Sequence, residues 1–227
     1  MARWATRSQL GTMKPLFTLA VLSVSAPAFG QGQIFRPDRS FVYAVAYVTA
    51  DATVLDTLRI TCTGRPWKAD PDKQVELVIH YDLERLDTAL FAGQASIGWV
   101  HTDTTGAVDN DRACWFHPPR HNQYRMLELA PFPRVEYPLE VDRRYSRALF
   151  IGEGWGDLSN TKVLWHYRIT GRTGDRWTIA AEAVPEDEPG KSSQLEFTFS
   201  SEAGFMDLHY TLHDGTRISM TRVPEMH

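Results

Sequence analysis

The sequence predicts an all-β protein: a curved antiparallel sheet, half-barrel or barrel-like, with one or two short helices at most. Three observations carry this. Apolar and polar residues alternate at period two in stretch after stretch, as in strands with one buried face. Short turn-forming segments separate these stretches, among them "TADAT", "TTGAVDND", "TGRTGDR" and "HDG". The 227 residues are 43% hydrophobic and 11% aromatic, enough for a cored domain and unlike a disordered chain or a coiled coil.

Residues 1–30 read as an export signal. Arg3, Arg7 and Lys14 are the only charges there, Leu16 to Val24 is apolar, and the small residues of "SAPAFG" follow. Cleavage after Ala28 or Gly30 would start the mature chain at Phe29 or Gln31. Met13 is an alternative start, because "MKPLFTLAVLSVSAPAFG" is a complete signal by itself. The apolar run is too short to span a bilayer, so the mature chain is expected to lack a transmembrane segment. Residues 31–227 are then a single antiparallel β domain, periplasmic or extracellular.

Along that domain, "FVYAVAYVT" (41–49) is apolar on both faces and reads as a central strand. "VELVIHY" (75–81) puts Val75, Leu77, Ile79 and Tyr81 on one face. "KVLWHYRIT" (162–170) does so with Val163, Trp165, Tyr167 and Ile169, and "WTIAAEAV" (177–184) with Trp177, Ile179, Ala181 and Ala183. "QLEFTFS" (194–200) aligns Leu195, Phe197 and Phe199, and the next strand aligns Met206, Leu208, Tyr210 and Leu212. A two-residue turn at Asp214–Gly215 would set apolar residues opposite polar ones. A three-residue loop, His213-Asp214-Gly215, instead pairs Tyr210 with Ile218 and Leu208 with Met220, with Gly215 left-handed. "DLERLDTALFAG" (82–93) reads equally as a helix or as a strand with a bulge.

Without residues 1–30 the chain has 21 basic and 28 acidic residues, a net charge of −7, and no run of Lys or Arg. Neither nucleic acid nor an anionic membrane surface suits it as a partner. Cys62 and Cys114 both fall on inward strand positions; they form one disulfide or remain as two buried thiols.

The densest stretch is "CWFHPPRHNQYRMLELAPFP" (114–133). His117, Pro118, Pro119 and Arg120 read first as a structural corner: the prolines hold the backbone extended, and the His and Arg side chains serve backbone acceptors. Arg120 beside a histidine would also suit an anionic group. Phe132 reads as a core plug. No metal site is expected: His209 and His213 stand about 13 Å apart on one strand face at about 3.3 Å per residue, and HExxH and EF-hand patterns are absent. "GEGWGDLSN" (152–160) carries no nucleotide fingerprint, no GxSxG elbow is present, and no cofactor is expected. Glu153 and Asp157 are a weak acid pair for glycoside hydrolysis.

The segments "WFHPPR…YRMLELAPFPRVEYPL", "IGEGWGDLSNTKVLWHYRITG" and "LEFTFSSEAGFMDLHYTLHDGTRISM" resemble a family of exported bacterial β-proteins, Bacteroidetes-type, over roughly residues 75–223. "HPPR" and "LELAPFP" are the most specific parts. The family has no established activity, so no catalytic residue carries over. The ending "GFMDLHYTLHDGTRISM" also looks like the terminal hairpin of lipoprotein-carrier (LolA/LolB-like) folds, which implies a curved sheet sheltering acyl chains.

These readings lead to one expectation and two rivals. The expectation is a non-enzymatic exported protein that binds an apolar small molecule or lipid in its concavity, lined by Tyr81, Trp99, Trp165, Tyr167, Phe197, Phe199, Leu208 and Tyr210. One rival is a structural or assembly factor of the cell envelope, partnered by another envelope protein. The other is a hydrolase using His117 and carboxylates on an extracellular polymer.

Overall fold

The computed structural model describes residues 34–83, 98–155 and 158–224. Twelve strands make one sheet: β1 (Ser40–Val48), β2 (Thr53–Pro66), β3 (Val75–Tyr81), β4 (Thr102–Asp109), β5 (Ala113–Phe116), β6 (Arg134–Glu136), β7 (Arg144–Ile151), β8 (Thr161–Thr173), β9 (Arg176–Pro185), β10 (Ser193–Ser200), β11 (Gly204–Thr211) and β12 (Arg217–Arg222). Their order is β6-β5-β4-β3-β2-β1-β12-β11-β10-β9-β8-β7, antiparallel throughout. The first six strands meander one way and the last six the other. β1 joins the two runs through β12, the central place its sequence suggested.

The sheet is nearly closed into a barrel. Its two terminal strands, β6 and β7, meet through side chains. The Tyr145 hydroxyl donates to the Arg134 carbonyl at 2.6 Å, and Arg147 pairs with Glu136 at 2.5 Å.

Period two sets which face is inside. Leu77, Ile79 and Tyr81, then Val163, Trp165, Tyr167 and Ile169, then Leu195, Phe197 and Phe199 are buried in one core, as their alternation predicts. The C-terminal hairpin has the predicted register, Tyr210 opposite Ile218 and Leu208 opposite Met220, with Gly215 at φ +85°.

Met206 departs from the expectation. A bulge between the Phe197–Leu208 and Phe199–Phe205 pairs shifts the face, so Phe205 enters the core and Met206 is only partly buried. An inserted residue resets the alternation on one side of it.

Cys62 and Cys114 are buried free thiols, not a disulfide. Burial pushes the Cys62 thiol up to about 12, so it is an inert small apolar group. The helix-or-strand segment 82–93 lies mostly outside the described residues. Among the described residues no helix is long and apolar enough to cross a membrane.

A twelve-strand barrel is wider than its own inward side chains fill; about eight strands is the size at which they just do. Here the chain supplies the filling. At one end the Ile34 and Phe35 amides bond to the Asp109 carboxylate, at 2.7 and 3.3 Å, and Phe35 packs on Phe41, Phe116 and Phe205. At the other, upper end, where β1 gives way to β2, the segment between β5 and β6 turns inward. It contains a 3-10 helix, Asn122–Glu128, and buries Tyr124, Leu127, Leu129, Ala130 and Phe132. Phe132 is the core plug the sequence suggested, 4.4 Å from the Trp165 ring.

Candidate functional site

Seven of the eight residues expected to line the concavity are buried on the inner face: Tyr81, Trp165, Tyr167, Phe197, Phe199, Leu208 and Tyr210. Trp99, on the segment leading into β4, is half-buried against the same core. The interior they enclose is occupied. Tyr124 stacks on Tyr81 at 6.0 Å and meets Tyr47 edge-on at 6.4 Å. The Tyr167 hydroxyl donates to the Phe132 carbonyl at 3.0 Å. The gap around Phe35, Tyr43, Ile60 and Phe205 is too small for a water molecule.

Three donors of this aromatic wall stand unsatisfied. Trp165 Nε1 and the Tyr81 and Tyr210 hydroxyls are buried without a hydrogen-bond partner. Each such group costs about 1–3 kcal/mol. Burial also pushes the Tyr210 phenol far above its ordinary range, so it stays protonated and able to donate.

Polar bonds latch the inserted segment. The Tyr124 hydroxyl and the Gln123 amide donate to Asp56 Oδ2 at 2.5 and 2.7 Å. Asn122 is held at φ +58°, a left-handed conformation, and exchanges two side-chain bonds with the Val100 backbone at 3.0 and 2.9 Å. Arg125 donates to the Gly154 carbonyl at 2.6 Å and stacks over Trp155 at 4.5 Å. Burial raises the Asp56 carboxyl above its usual range, against the opposing pull of its bonds from Tyr124, Thr57 and Gln123.

The "HPPR" corner answers to the sheet edge. β5 pairs with β4 only from Ala107 to Asp109, which leaves the rest of β4 open on that side. Residues 117–121 run on past the end of β5. The His117 amide bonds to the Gly106 carbonyl at 3.1 Å, and the two prolines that follow bring no N–H to the edge. The His117 ring sits among Trp67, Trp115 and Phe132, at 5.4, 5.3 and 4.7 Å. It does not meet a carboxylate pair, as the hydrolase reading required. Trp67 and the Gln74 side chain occupy the space a Cβ on Gly106 would need.

Charge gathers one step further on. His121 Nδ1 lies 2.9 Å from Asp103 Oδ2, an ion-pair distance off the hydrogen-bonding line. Arg120 reaches Asp103 at 3.7 Å and Glu128 at 4.0 Å, and lies 6.0 Å over the Trp67 ring. Burial lifts the Glu128 carboxyl, with Arg120 opposing. Arg120 thus serves carboxylates, and His117 Nδ1 is buried without a partner, where the sequence suggested backbone carbonyls for both. His101, which precedes β4, is exposed.

Burial, and then the Arg120 charge, lower the His117 imidazole to about 4. The folded protein therefore resists a proton that the unfolded chain accepts below about 6.5. His117 is expected to cost stability progressively as pH falls from about 6.5 to about 4, on the order of 3 kcal/mol in full at about 1.4 kcal/mol per pH unit. Denaturant titrations of wild type and His117→Gln across that range check it. Their stability difference should move with pH; a constant difference would contradict the burial.

Sequence reasoning also missed a groove of about 580 Å³ on the outer face of β7–β11. Strand register lines up two polar rows there. Ser146, His166, Glu182, Gln194 and Thr211 form one; Arg144, Arg168, Ala180, Glu196 and His209 form the other. The small Ala180 makes the dip. The Ser146 hydroxyl and His166 Nδ1 are 3.0 Å apart, and Arg168 is engaged by Asp142 at 2.5 Å. The alternation that located the core also implied these rows, but only the register aligns them. Among the described residues no group of three His, Cys, Asp or Glu could hold a metal. No protein-family model matches the chain, and no curated protein matches it.

Proposed function

We propose that this is an exported, non-enzymatic carrier of an acyl-chain ligand, which shelters in the barrel by displacing the segment around Tyr124–Phe132. The observation that carries the reading is the set of orphaned donors, Trp165 Nε1 and the Tyr81 and Tyr210 hydroxyls, on the inner wall. A ligand with an apolar tail and a carboxyl or ester head would supply the acceptors that Tyr124, Leu127 and Phe132 do not. The latch supports it too. Gln123 is fully buried with its Oε1 unpartnered, a poor choice for permanent filler that suits a segment with a second position.

A second reading, an envelope assembly factor with no small ligand, draws on the fullness of the interior in this conformation. One titration separates the two. Delipidated mature protein mixed with a fluorescent fatty acid should bind it saturably, and unlabelled fatty acid should compete. Absence of saturable binding would remove the carrier and leave the assembly factor.

A further inference from the structure

The two sides of the barrel seam are treated differently. The β4 edge is overrun by the His117–His121 corner, and β6 is only three residues long. β7 has eight residues and pairs with β8 alone. No described backbone group outside β8 bonds to Arg144–Ile151. Every second residue of an antiparallel edge strand points its N–H and C=O away from its one neighbour, so β7 offers a row of them.

The lower half of this edge is guarded. Arg144 and Arg147 lie there, and Tyr145 and Arg147 reach across to β6. The upper half, Ala148–Ile151, carries no charge, proline or bulge, and Phe150 stands 66% exposed. Such a half-edge is a template for a further strand.

We infer that the further strand is β7 of a second copy, paired antiparallel about a two-fold axis at Phe150. A two-fold axis normal to the sheet brings residues of the same face together, which restricts the register to symmetric choices. The register centred on Phe150 is self-complementary. Phe150 meets Phe150 on the outer face, and Leu149 faces Ile151. Arg147, half-exposed and 2.5 Å from Glu136 of its own copy, comes opposite Glu153 of the other, an exposed carboxylate just past the strand end, so the cation lies between two carboxylates on each side of the apolar centre. Gly152 falls opposite Ala148, where no side chain obstructs. A contact of one strand pair is small, so the dimer is weak and depends on concentration.

Sedimentation of the mature protein over a roughly hundredfold concentration range tests this. The weight-average mass should climb from one chain toward two. Phe150→Lys, which puts a charge at the centre of an exposed edge, should hold the protein monomeric with circular dichroism and melting unchanged. Glu153→Arg, which sets like charges opposite each other, should weaken the dimer several-fold. A monomer at every concentration means that the edge serves a different strand or none, and overturns the inference. So does a dimer that neither substitution weakens.

Discussion

Tyr124→Ala is expected to lower stability by about 3–5 kcal/mol, the cost of emptying a large buried aromatic site, while strengthening fatty-acid binding. Tyr124 is fully buried, packs on Tyr47 and Tyr81, and bonds to Asp56. Truncation therefore empties part of the interior and removes half of the Asp56 latch at once. In a filled, purely structural barrel only the first effect would appear. In a carrier the same space becomes available to the ligand, and the two measurements move in opposite directions. Denaturant unfolding and probe titration of the one variant read both. Lower stability with unchanged or absent probe binding would assign Tyr124 to the permanent core.

Arg120→Ala should cost about 3 kcal/mol, the lower end for loss of one partner from a buried ion pair, because Arg120 itself is partly exposed. At roughly 2–4 °C per kcal/mol for a chain of this size, the melting temperature should fall by about 6–12 °C. The reason is what it leaves behind: Asp103 and Glu128, both mostly buried, without their shared cation. The deficit should shrink in mild acid. Glu128 has a folded value above its unfolded one, so its contribution is lost as pH rises through the folded value and recovered as pH falls. Arg120→Ala that melts like wild type but binds the probe less would make the corner part of a binding site.

Much of the barrel is legible in the sequence, because period two is a local rule. The inward sets of β3, β8, β9 and β10 and the register of the last hairpin follow from alternation and from Gly215 at a left-handed position. Met206 failed because a bulge adds one residue without changing the composition on either side. The open free-thiol alternative for Cys62 and Cys114 rested on their inward positions, which the register bears out.

The site was legible only in part. Trp165, Tyr167, Phe197, Phe199, Leu208 and Tyr210 share the interior as alternation implies. What fills it was not legible, since a 3-10 helix between proline-rich flanks has neither the 3.6 nor the 2.0 period. Asp103 lies on β4, apart from the stretch that carries Arg120 and Glu128, and only the short pairing of β4 with β5 brings the corner to it. The outer rows depend on five strands in register, which no single strand reveals.

The central claim, that a ligand replaces the chain's own filler inside the barrel, is tested most directly by locating a bound acyl chain. Nuclear Overhauser effects between a fatty acid and isotope-labelled protein would do this. The account predicts contacts from the acyl chain to Trp165, Phe197, Leu208 and Tyr210, with the Tyr124 and Phe132 signals shifted. Contacts confined to the outer groove at His166 and Ala180, or no saturable complex at all, would contradict it.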